Sequence, residues 1–339
     1  MTDDPLISIV IPAYREAEGL AKAVDIIRAS AEPLGQVEYV IVDDGSNDGT
    51  WQEIQRIAEE NPAARGVRLS RNFGKEAAIT AGLKAARGFA VVTIDADLQH
   101  PPHLIPEMFK CWQAGAKVVN TVKRTRENEG PVKAWMTRRY FKLFHRLAGF
   151  DVGNHSDFKM LDREVVDCLI ALPERARYYR GLVGWLGFEE QTLMFDVAPR
   201  HAGAGHWSSA KLARLALDSI VSFSTIPMHL MTMLGACFAV LAVALGVRTF
   251  WMWMAGSAVP GFSTVILLLI VIGSILMIGL GIIGVYIAKI YEEVKNRPEF
   301  IVRQVTPVPE ARLDSDKDQT DQSQRERPSG PQLVQASLR

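Results

Sequence analysis

Two long stretches without charged residues constrain this chain more than any other feature. They run from Ile226 to Val247 and from Thr264 to Ala288. Each is long enough to cross the roughly 30 Å of hydrocarbon in a bilayer, for which about 20 residues suffice. Because a backbone inside lipid must satisfy its own hydrogen bonds, each stretch is predicted to be a helix. The sequence therefore predicts a hairpin of two transmembrane helices at about 226–253 and 264–288.

The charges beside the two stretches predict an orientation. Residues 255–263, between the two helices, carry no charge. Positive residues flank the outer ends of the hairpin: Lys211 and Arg214 before it, and Lys289, Lys295 and Arg297 after it. Since positive residues favour the cytoplasmic side, we expect both chain ends in the cytoplasm and the turn outside.

The first 120 or so residues alternate between strand-like and helical patterns. Near-continuous apolar runs at 6–12, 37–43 and 89–95 are typical of strands that are buried on both faces of a parallel sheet. Helical periodicity follows Thr50, and a further helix is expected from about Gly74 to Ala86. This alternation predicts a doubly wound α/β domain, in which ligands bind at the carboxyl ends of the strands.

Acidic residues stand at those strand ends. Asp43 and Asp44 close one apolar run, and Asp95 and Asp97 follow another in "DADLQ". Two carboxylates one residue apart can face one divalent cation, and Gln99 can add a carbonyl oxygen. The alternative, in which Asp95 caps the following helix and Asp97 is merely solvated, stays open on these residues alone.

Composition excludes several other classes of function. The net charge is zero, with 38 basic and 38 acidic residues, and gives no support for a nucleic-acid partner. The three cysteines are scattered, which argues against a disulfide framework or a zinc site. "GLGIIG" at 279–284 matches a dinucleotide fingerprint but falls inside the second apolar stretch, where Gly284 and Ala288 are spaced for close helix packing.

Four motifs occur in order within the first 102 residues: "IVIPAYREAEGL", "VDDGSNDGT", "LSRNFGKEAAITAGL" and "DADLQHPP". Together with "GNHSDFKMLDREVV", "RYYRGLVGWLGF", "PRHAGAGHW" and the two-helix hairpin, they resemble glycosyltransferase family 2. The pattern is similar to the subgroup that moves a sugar from a nucleotide onto dolichyl or bactoprenyl phosphate. The resemblance covers about residues 6–300.

The resemblance implies a fold and a location. It implies an α/β domain of the GT-A type, Rossmann-like and nucleotide-sugar-binding, over residues 1–207. An interfacial amphipathic helix would follow at 208–225, then the two transmembrane helices within 226–291, and a cytoplasmic tail over 292–339 that is mostly disordered from about 306. We expect a multi-pass protein of the bacterial inner membrane, with the catalytic domain and both termini cytoplasmic, and self-association is an open option.

The resemblance also implies site residues. The nucleotide-sugar would be bound by Pro12, Tyr14, Glu16, Asp43, Asp44, Asp95 and Asp97. Mg²⁺ or Mn²⁺ would be held by Asp95, Asp97 and Gln99. Catalytic roles would fall to Asp97 and to Asp157, the latter as a general base or, alternatively, as an anchor for basic side chains or the metal shell.

An anionic lipid phosphate acceptor requires cations. The candidates are Arg124, Arg126, Arg138, Arg139, Arg200 and His206. Arg138 and Arg139 belong to a basic amphipathic pattern after Pro131, which suits anionic headgroups, although an ordinary solvated helix face remains the alternative.

The chain departs from the family pattern at three places. The family commonly has Asn where Arg15 stands and Arg where Lys159 stands. Its usual Ser-Lys before an aromatic residue is replaced by Gly205 and His206. Because histidine has a pKa of about 6.5, a phosphate contact at His206 would depend on pH.

These observations predict an inverting, metal-dependent transferase that moves a sugar, with glucose or another hexose preferred, from a nucleotide-sugar to polyprenyl (undecaprenyl) phosphate. A UDP-sugar is favoured over a GDP-sugar. Two alternatives remain: a membrane scaffold or lipid-translocation partner with a degenerate transferase domain, and a polysaccharide synthase. The synthase typically has a Q-x-x-R-W motif and more spans, which this chain lacks.

Overall fold

The computed structural model describes residues 6–123, 155–175, 177–195, 226–256 and 261–307. The chain forms two compact units. The first comprises residues 1–110 together with 300–339, and the second comprises residues 111–299.

The first unit alternates strands and helices. In chain order these are β1 (Ile7–Ala13), α1 (Leu20–Ala31), β2 (Val37–Asp43), α2 (Thr50–Glu60), β3 (Ala64–Leu69), α3 (Lys75–Ala85), β4 (Ala90–Thr93) and α4 (Ile105–Gln113), whose last residues lie beyond the unit boundary. A last strand, β8 (Val302–Val305), returns to this unit from the far end of the chain.

The strands of the first unit form a largely parallel sheet in the order β4-β1-β2-β3-β8. β1 pairs in parallel with β2 and β4, and β2 pairs in parallel with β3. Ala13 lies opposite Asp43, so β1 and β2 end at the same level. β1 and β2 are almost wholly buried, as their Val- and Ile-rich runs indicate. The predicted α/β domain is confirmed.

Helix α3 lies close against this sheet. A Cβ at Gly82 would stand 2.2 Å from Cγ1 of Val10 on β1, so only glycine permits the approach. The helix begins one residue after Gly74, whose φ of 101° is left-handed. α3 therefore starts at the carboxyl end of the sheet, where the acidic loops lie.

The second unit contains strands, short helices and two long helices. They are β5 (Val118–Lys123), β6 (His155–Asp162), α5 (Arg163–Ala171), α6 (Tyr179–Leu186), β7 (Glu190–Phe195), α7 (Ile226–Met254) and α8 (Phe262–Val294). β5 pairs antiparallel with β6 and parallel with β7. Asp162 caps α5 by accepting the Glu164 N–H at 3.0 Å.

Helices α7 and α8 are long and apolar enough to cross a membrane, by length and composition. The qualifying segments are Met231–Met252 and Leu268–Val294, with mean hydropathy 2.0 and 2.8. Among the described glycines of α8, Gly279 is the one with a neighbour on α7: a Cβ there would lie 3.8 Å from Sδ of Met231, an ordinary van der Waals distance. A Cβ at Gly284 would meet no described atom within 4 Å, so among the described residues the contact with α7 lies at Gly279 and not at Gly284.

Strand β8 was not predicted, because its residues fall in the segment interpreted as a tail. It pairs antiparallel with β3, and Thr306 exchanges hydrogen bonds with Gly66 beside it. The expected amphipathic helix at 208–225, the basic pattern after Pro131 and the tail beyond residue 307 lie outside the described residues.

Candidate functional site

A cleft of about 290 Å³ opens at the carboxyl ends of the strands in the first unit. The loops after β1, β2, β3 and β4 all contribute to its wall. The lining residues are Pro12, Ala13, Tyr14, Glu16, Asp44, Asn72, Gly74, Lys75, Ala78, Asp95, Ala96 and Asp97. Six of the residues that the sequence nominated for nucleotide-sugar binding therefore share one cleft. The seventh, Asp43, is fully buried and is not one of the lining residues.

The loop after β1 is held in an unusual conformation. Arg15 has a φ of 58°, a left-handed geometry that Asn tolerates better than Arg does. Its N–H donates to Oγ of Ser46 at 3.0 Å, and the Glu16 N–H donates to Oγ1 of Thr50 at 3.0 Å. The guanidinium of Arg15 lies 5.3 Å from the centre of the Tyr14 ring. The backbone geometry gives a physical reason why Asn would suit this position.

The two aspartates after β2 have different surroundings. Asp43 is fully buried, accepts the Ser46 N–H at 2.9 Å and pairs with Nε of Arg68 at 3.1 Å. Asp44 faces the cleft and accepts the N–H groups of Phe73 and Gly74 at 2.7 and 2.9 Å. Burial raises the pKa of Asp44, and the two N–H groups partly offset that rise. Asp43 thus fixes the loop, while Asp44 connects it to the start of α3.

The loop after β4 brings three potential metal ligands together. One ligand atom from each of Asp95, Asp97 and His100 lies within 4.8 Å of the others. Nζ of Lys75 is 2.7 Å from the Asp95 carboxylate, and Nδ1 of His100 is 3.6 Å from its Oδ2. Asp97 accepts the Gln99 N–H at 3.1 Å. Leu98, between Asp97 and Gln99, has a φ of 55°, a left-handed conformation that is strained for a bulky side chain.

The charge of the cleft suits a divalent cation. Burial raises the pKa of Glu16, and the negative charges of Asp97, Asp48 and Asp95 raise it further. These carboxylates would repel the diphosphate of a nucleotide unless a cation lay between the carboxylates and the diphosphate. Because the Asp95 and Asp97 carboxylates are hard oxygen ligands, the donor set fits Mg²⁺ or Mn²⁺.

Asp157 lies in the second unit, on β6. Both of its carboxylate oxygens accept hydrogen bonds from Arg180, one from Nε at 2.6 Å and the other from Nη2 at 2.9 Å. Nearby, Lys159 is fully buried, donates to Oδ1 of Asn120 and has a pKa that burial lowers to about 7. The geometry of Asp157 favours the alternative in which it anchors a basic side chain.

Some predicted residues cannot be placed, and some placed residues were not predicted. Arg124, Arg126, Arg138, Arg139, Arg200 and His206 lie outside the described residues. Lys75, His100 and Arg180 were missed as members of these clusters. Each stands in or beside a quoted motif: Lys75 follows Gly74 at a helix start, His100 directly follows "DADLQ", and Arg180 belongs to "RYYRGLVGWLGF".

The parallel sheet with an acidic cleft at its strand ends defines an α/β protein of the GT-A type. Residues 8–170 match the family described as glycosyl transferase family 2. A glycosyltransferase of Synechocystis sp. is 37% identical over 302 residues, which cover 87% of this chain and 94% of that protein. The chain belongs to glycosyl transferase family 2, and it is an enzyme of that class.

Further relatives carry more specific names. A prophage-derived bactoprenol glucosyl transferase of Shigella flexneri is 35% identical over 304 residues, covering 88% of this chain and 97% of that protein. Among solved structures, glucosyl-3-phosphoglycerate synthase from Mycobacterium tuberculosis, in complex with Mn²⁺, UDP and phosphoglyceric acid, has a TM-score of 0.46 at 23% identity. It covers 64% of this chain and 76% of its own.

Proposed function

We propose that this protein transfers a hexose, glucose in the first instance, from a nucleotide-sugar to polyprenyl phosphate, with inversion at the anomeric carbon. The observation that carries the proposal is the similarity to proteins named bactoprenol glucosyl transferase, which spans 88% of the chain. The cleft and the two candidate spans support it, because the reaction joins a soluble donor to a membrane lipid.

The donor would bind in the cleft of the first unit. Asp95 and Asp97, with Gln99 or His100 beside them, would hold Mg²⁺ or Mn²⁺. When bound, the cation supplies positive charge that stabilises the departing diphosphate. Lys75 adds a second positive charge at the same place, and Asp44 holds the backbone that begins α3. A UDP-sugar is the preferred donor.

The reaction requires no proton transfer from the acceptor. A phosphate monoester has a second pKa of about 6, so the acceptor is largely dianionic at neutral pH. One of its oxygens forms a bond to the anomeric carbon, while the bond between that carbon and the diphosphate oxygen breaks. The electron pair leaves with the nucleoside diphosphate. In this scheme Asp157 holds Arg180 in place rather than acting as a base.

The two long helices would anchor the enzyme as a hairpin in the bacterial inner membrane. The positive residues after α8 favour cytoplasmic ends for both helices, so the product would form on the cytoplasmic leaflet. The same proposal includes a catalytic domain that ends at residue 207, an interfacial helix that ends at 225 and a transmembrane region that ends at 291.

The test is an assay of the purified protein with undecaprenyl phosphate, Mg²⁺ or Mn²⁺, and a panel of UDP- and GDP-sugars. Mass spectrometry of the lipid fraction should reveal one lipid-phosphate-hexose, formed from UDP-glucose. Folded protein that forms no product from any donor, yet binds nucleotide, would instead favour the scaffold or lipid-translocation role.

A further inference from the structure

Three arginines lie close together in the sequence of the second unit: Arg175 contacts the end of α8, Arg177 contacts Glu299, and Arg180 contacts Asp157. They are called the arginine cluster below. We propose that Arg175 and Arg177 position Arg180 and Asp157 relative to the candidate membrane helix α8, so that a membrane-bound acceptor phosphate meets Arg180 and Asp157 at a fixed depth. The inference rests on the proposed function.

Arg177 is the centre of the cluster. Its side chain is 7% exposed, and its Nε lies 2.8 Å from Oε1 of Glu299, which is 14% exposed. Its two terminal nitrogens donate to the carbonyls of Leu169 and Leu172, each at 2.8 Å. Those carbonyls belong to the C-terminal end of α5, where helical carbonyls lack intrahelical partners. Arg177 therefore joins the end of α5 to the segment after α8.

Arg175 holds the end of α8 itself. Its N–H donates to Oε1 of Glu293, in the last turn of α8, at 3.0 Å. Its guanidinium contacts Oδ1 of Asn296 and the carbonyl of Arg297, in the residues that follow the helix. Asn296 has a φ of 52°, a left-handed conformation that Asn tolerates and that turns the chain after the helix.

Arg180 completes the connection in the first turn of α6. It lies three residues after Arg177 and binds Asp157 through two nitrogens. Such a bidentate pair fixes the orientation of both side chains. Arg175, which contacts the last turn of α8, and Arg180, which binds Asp157, thus lie only five positions apart in the chain.

This arrangement exceeds what local folding requires. A helix C-terminus can be satisfied by water or by a glycine turn, whereas α5 uses an arginine that is itself paired with a residue 122 positions later. Since α8 is a candidate span, its end has a defined depth in the bilayer. The contacts transmit that depth to Asp157 and Arg180.

The experiment compares two acceptors. The full-length protein is reconstituted in phosphatidylethanolamine and phosphatidylglycerol vesicles containing undecaprenyl phosphate, and is assayed separately with a short, water-soluble isoprenyl phosphate. The variants are Glu299→Gln and Arg177→Met. Arg177→Lys is the conservative variant, and Arg163→Gln, which alters an exposed pair with Asp167 on α5, is the matched control.

We expect Glu299→Gln and Arg177→Met to raise KM for the vesicle-bound acceptor about tenfold. The phosphate of a lipid in the bilayer is held at one depth, so it binds well only when Asp157 and Arg180 are held at the same depth. KM for the soluble acceptor and the affinity for nucleoside diphosphate with Mn²⁺ should stay at the wild-type values. Arg177→Lys should recover part of the loss, and Arg163→Gln should match the wild type.

Equal effects on both acceptors, or no effect on either, would overturn the positioning role, as would loss of the folded state in both variants. Wild-type protein that yields no lipid-linked sugar would instead overturn the proposed function, and this inference with it.

Discussion

At the residue scale, the two aspartates of "DADLQ" differ in their contacts. Asp95 is paired with Lys75 and approached by His100, whereas Asp97 accepts a single backbone N–H from Gln99. Asp97 is therefore better placed to meet an incoming cation without first giving up an ion pair. Asp95 would exchange Lys75 for the cation, or share its two oxygens between them.

Replacing Asp97 by Asn tests the metal site directly. We expect turnover to fall about 100-fold or more, because the amide keeps the shape but loses the charge that holds the cation. Mn²⁺-dependent nucleotide binding should weaken in parallel, as measured by calorimetry, and circular dichroism should show an intact fold. Asp25→Asn, at an exposed position on α1, is the control and should leave turnover unchanged. Unchanged turnover in Asp97→Asn would refute the metal role.

Replacing Lys75 should change metal binding in the opposite direction to Asp97→Asn. Since Lys75 and a divalent cation compete for Asp95, Lys75→Gln should bind Mn²⁺ more tightly in the absence of donor. The gain should be about two- to fivefold, as expected for a partly exposed ion pair. Turnover should nevertheless fall, because the variant lacks a positive charge beside the diphosphate. Weaker Mn²⁺ binding in Lys75→Gln would show that Lys75 does not compete with the cation.

Lys159 predicts a pH dependence of stability. Burial lowers its pKa to about 7, while in the unfolded chain a lysine titrates near 10.4. Between these values the unfolded state binds more protons, so this lysine makes stability rise with pH. We therefore compare melting temperatures of Lys159→Met and the wild type at each pH. The variant's melting temperature minus that of the wild type should be highest near pH 6 and should decline up to pH 9. A difference that is constant with pH would contradict the shifted pKa.

The sequence places most of the cleft residues but not their partners. Asp43, Asp44, Asp95 and Asp97 are predicted at strand ends from the apolar runs that precede them, and all four lie there. That Asp43 faces Arg68 rather than the cleft depends on β3, a strand that the residues around Asp43 do not specify. The pairing of Asp157 with Arg180 likewise depends on a helix 23 residues later.

At the element scale, β8 is a strand that the sequence pattern did not predict. Its four residues include Arg303 and Gln304, and their pattern alone does not distinguish strand from tail. What makes them a strand is the unpaired edge of β3, which a sequence pattern does not reveal. The long apolar runs of β1 and β2 need no such partner to be recognised, because burial on both faces is already visible in their composition.

Removing β8 should destabilise the first unit. We expect truncation after Glu299 to lower the melting temperature and to promote aggregation, because it exposes the edge of β3 and leaves the buried Gly66 N–H without Thr306. Truncation after Pro307, which keeps β8 and Thr306, is the matched control and should melt like the full chain. Thermal unfolding in detergent with size-exclusion chromatography measures both effects. Identical melting of the two truncations would mean that β8 adds no stability.

At the scale of the whole molecule, the chain path restricts the membrane topology. The chain leaves the first unit after Lys110 and rejoins it at Phe300, after both candidate spans. Only seven residues separate the end of α8 from the start of β8, and fully extended they reach about 25 Å. That distance is too short to cross the roughly 30 Å of hydrocarbon. We therefore predict that β8 and the C-terminal end of α8 lie on the same side of the membrane.

The flanking charges predict which side this is. Lys289, Lys295 and Arg297 follow the apolar part of α8, and from the positive-inside tendency we expect that end in the cytoplasm. Alkaline phosphatase fused at the C-terminus should be inactive and a fluorescent protein there should be bright, whereas phosphatase inserted at 257–260 should be active. Active phosphatase at the C-terminus would reverse the orientation. It would also place β8 outside the cell, where nucleotide-sugars are not supplied, and the proposed reaction would then be untenable.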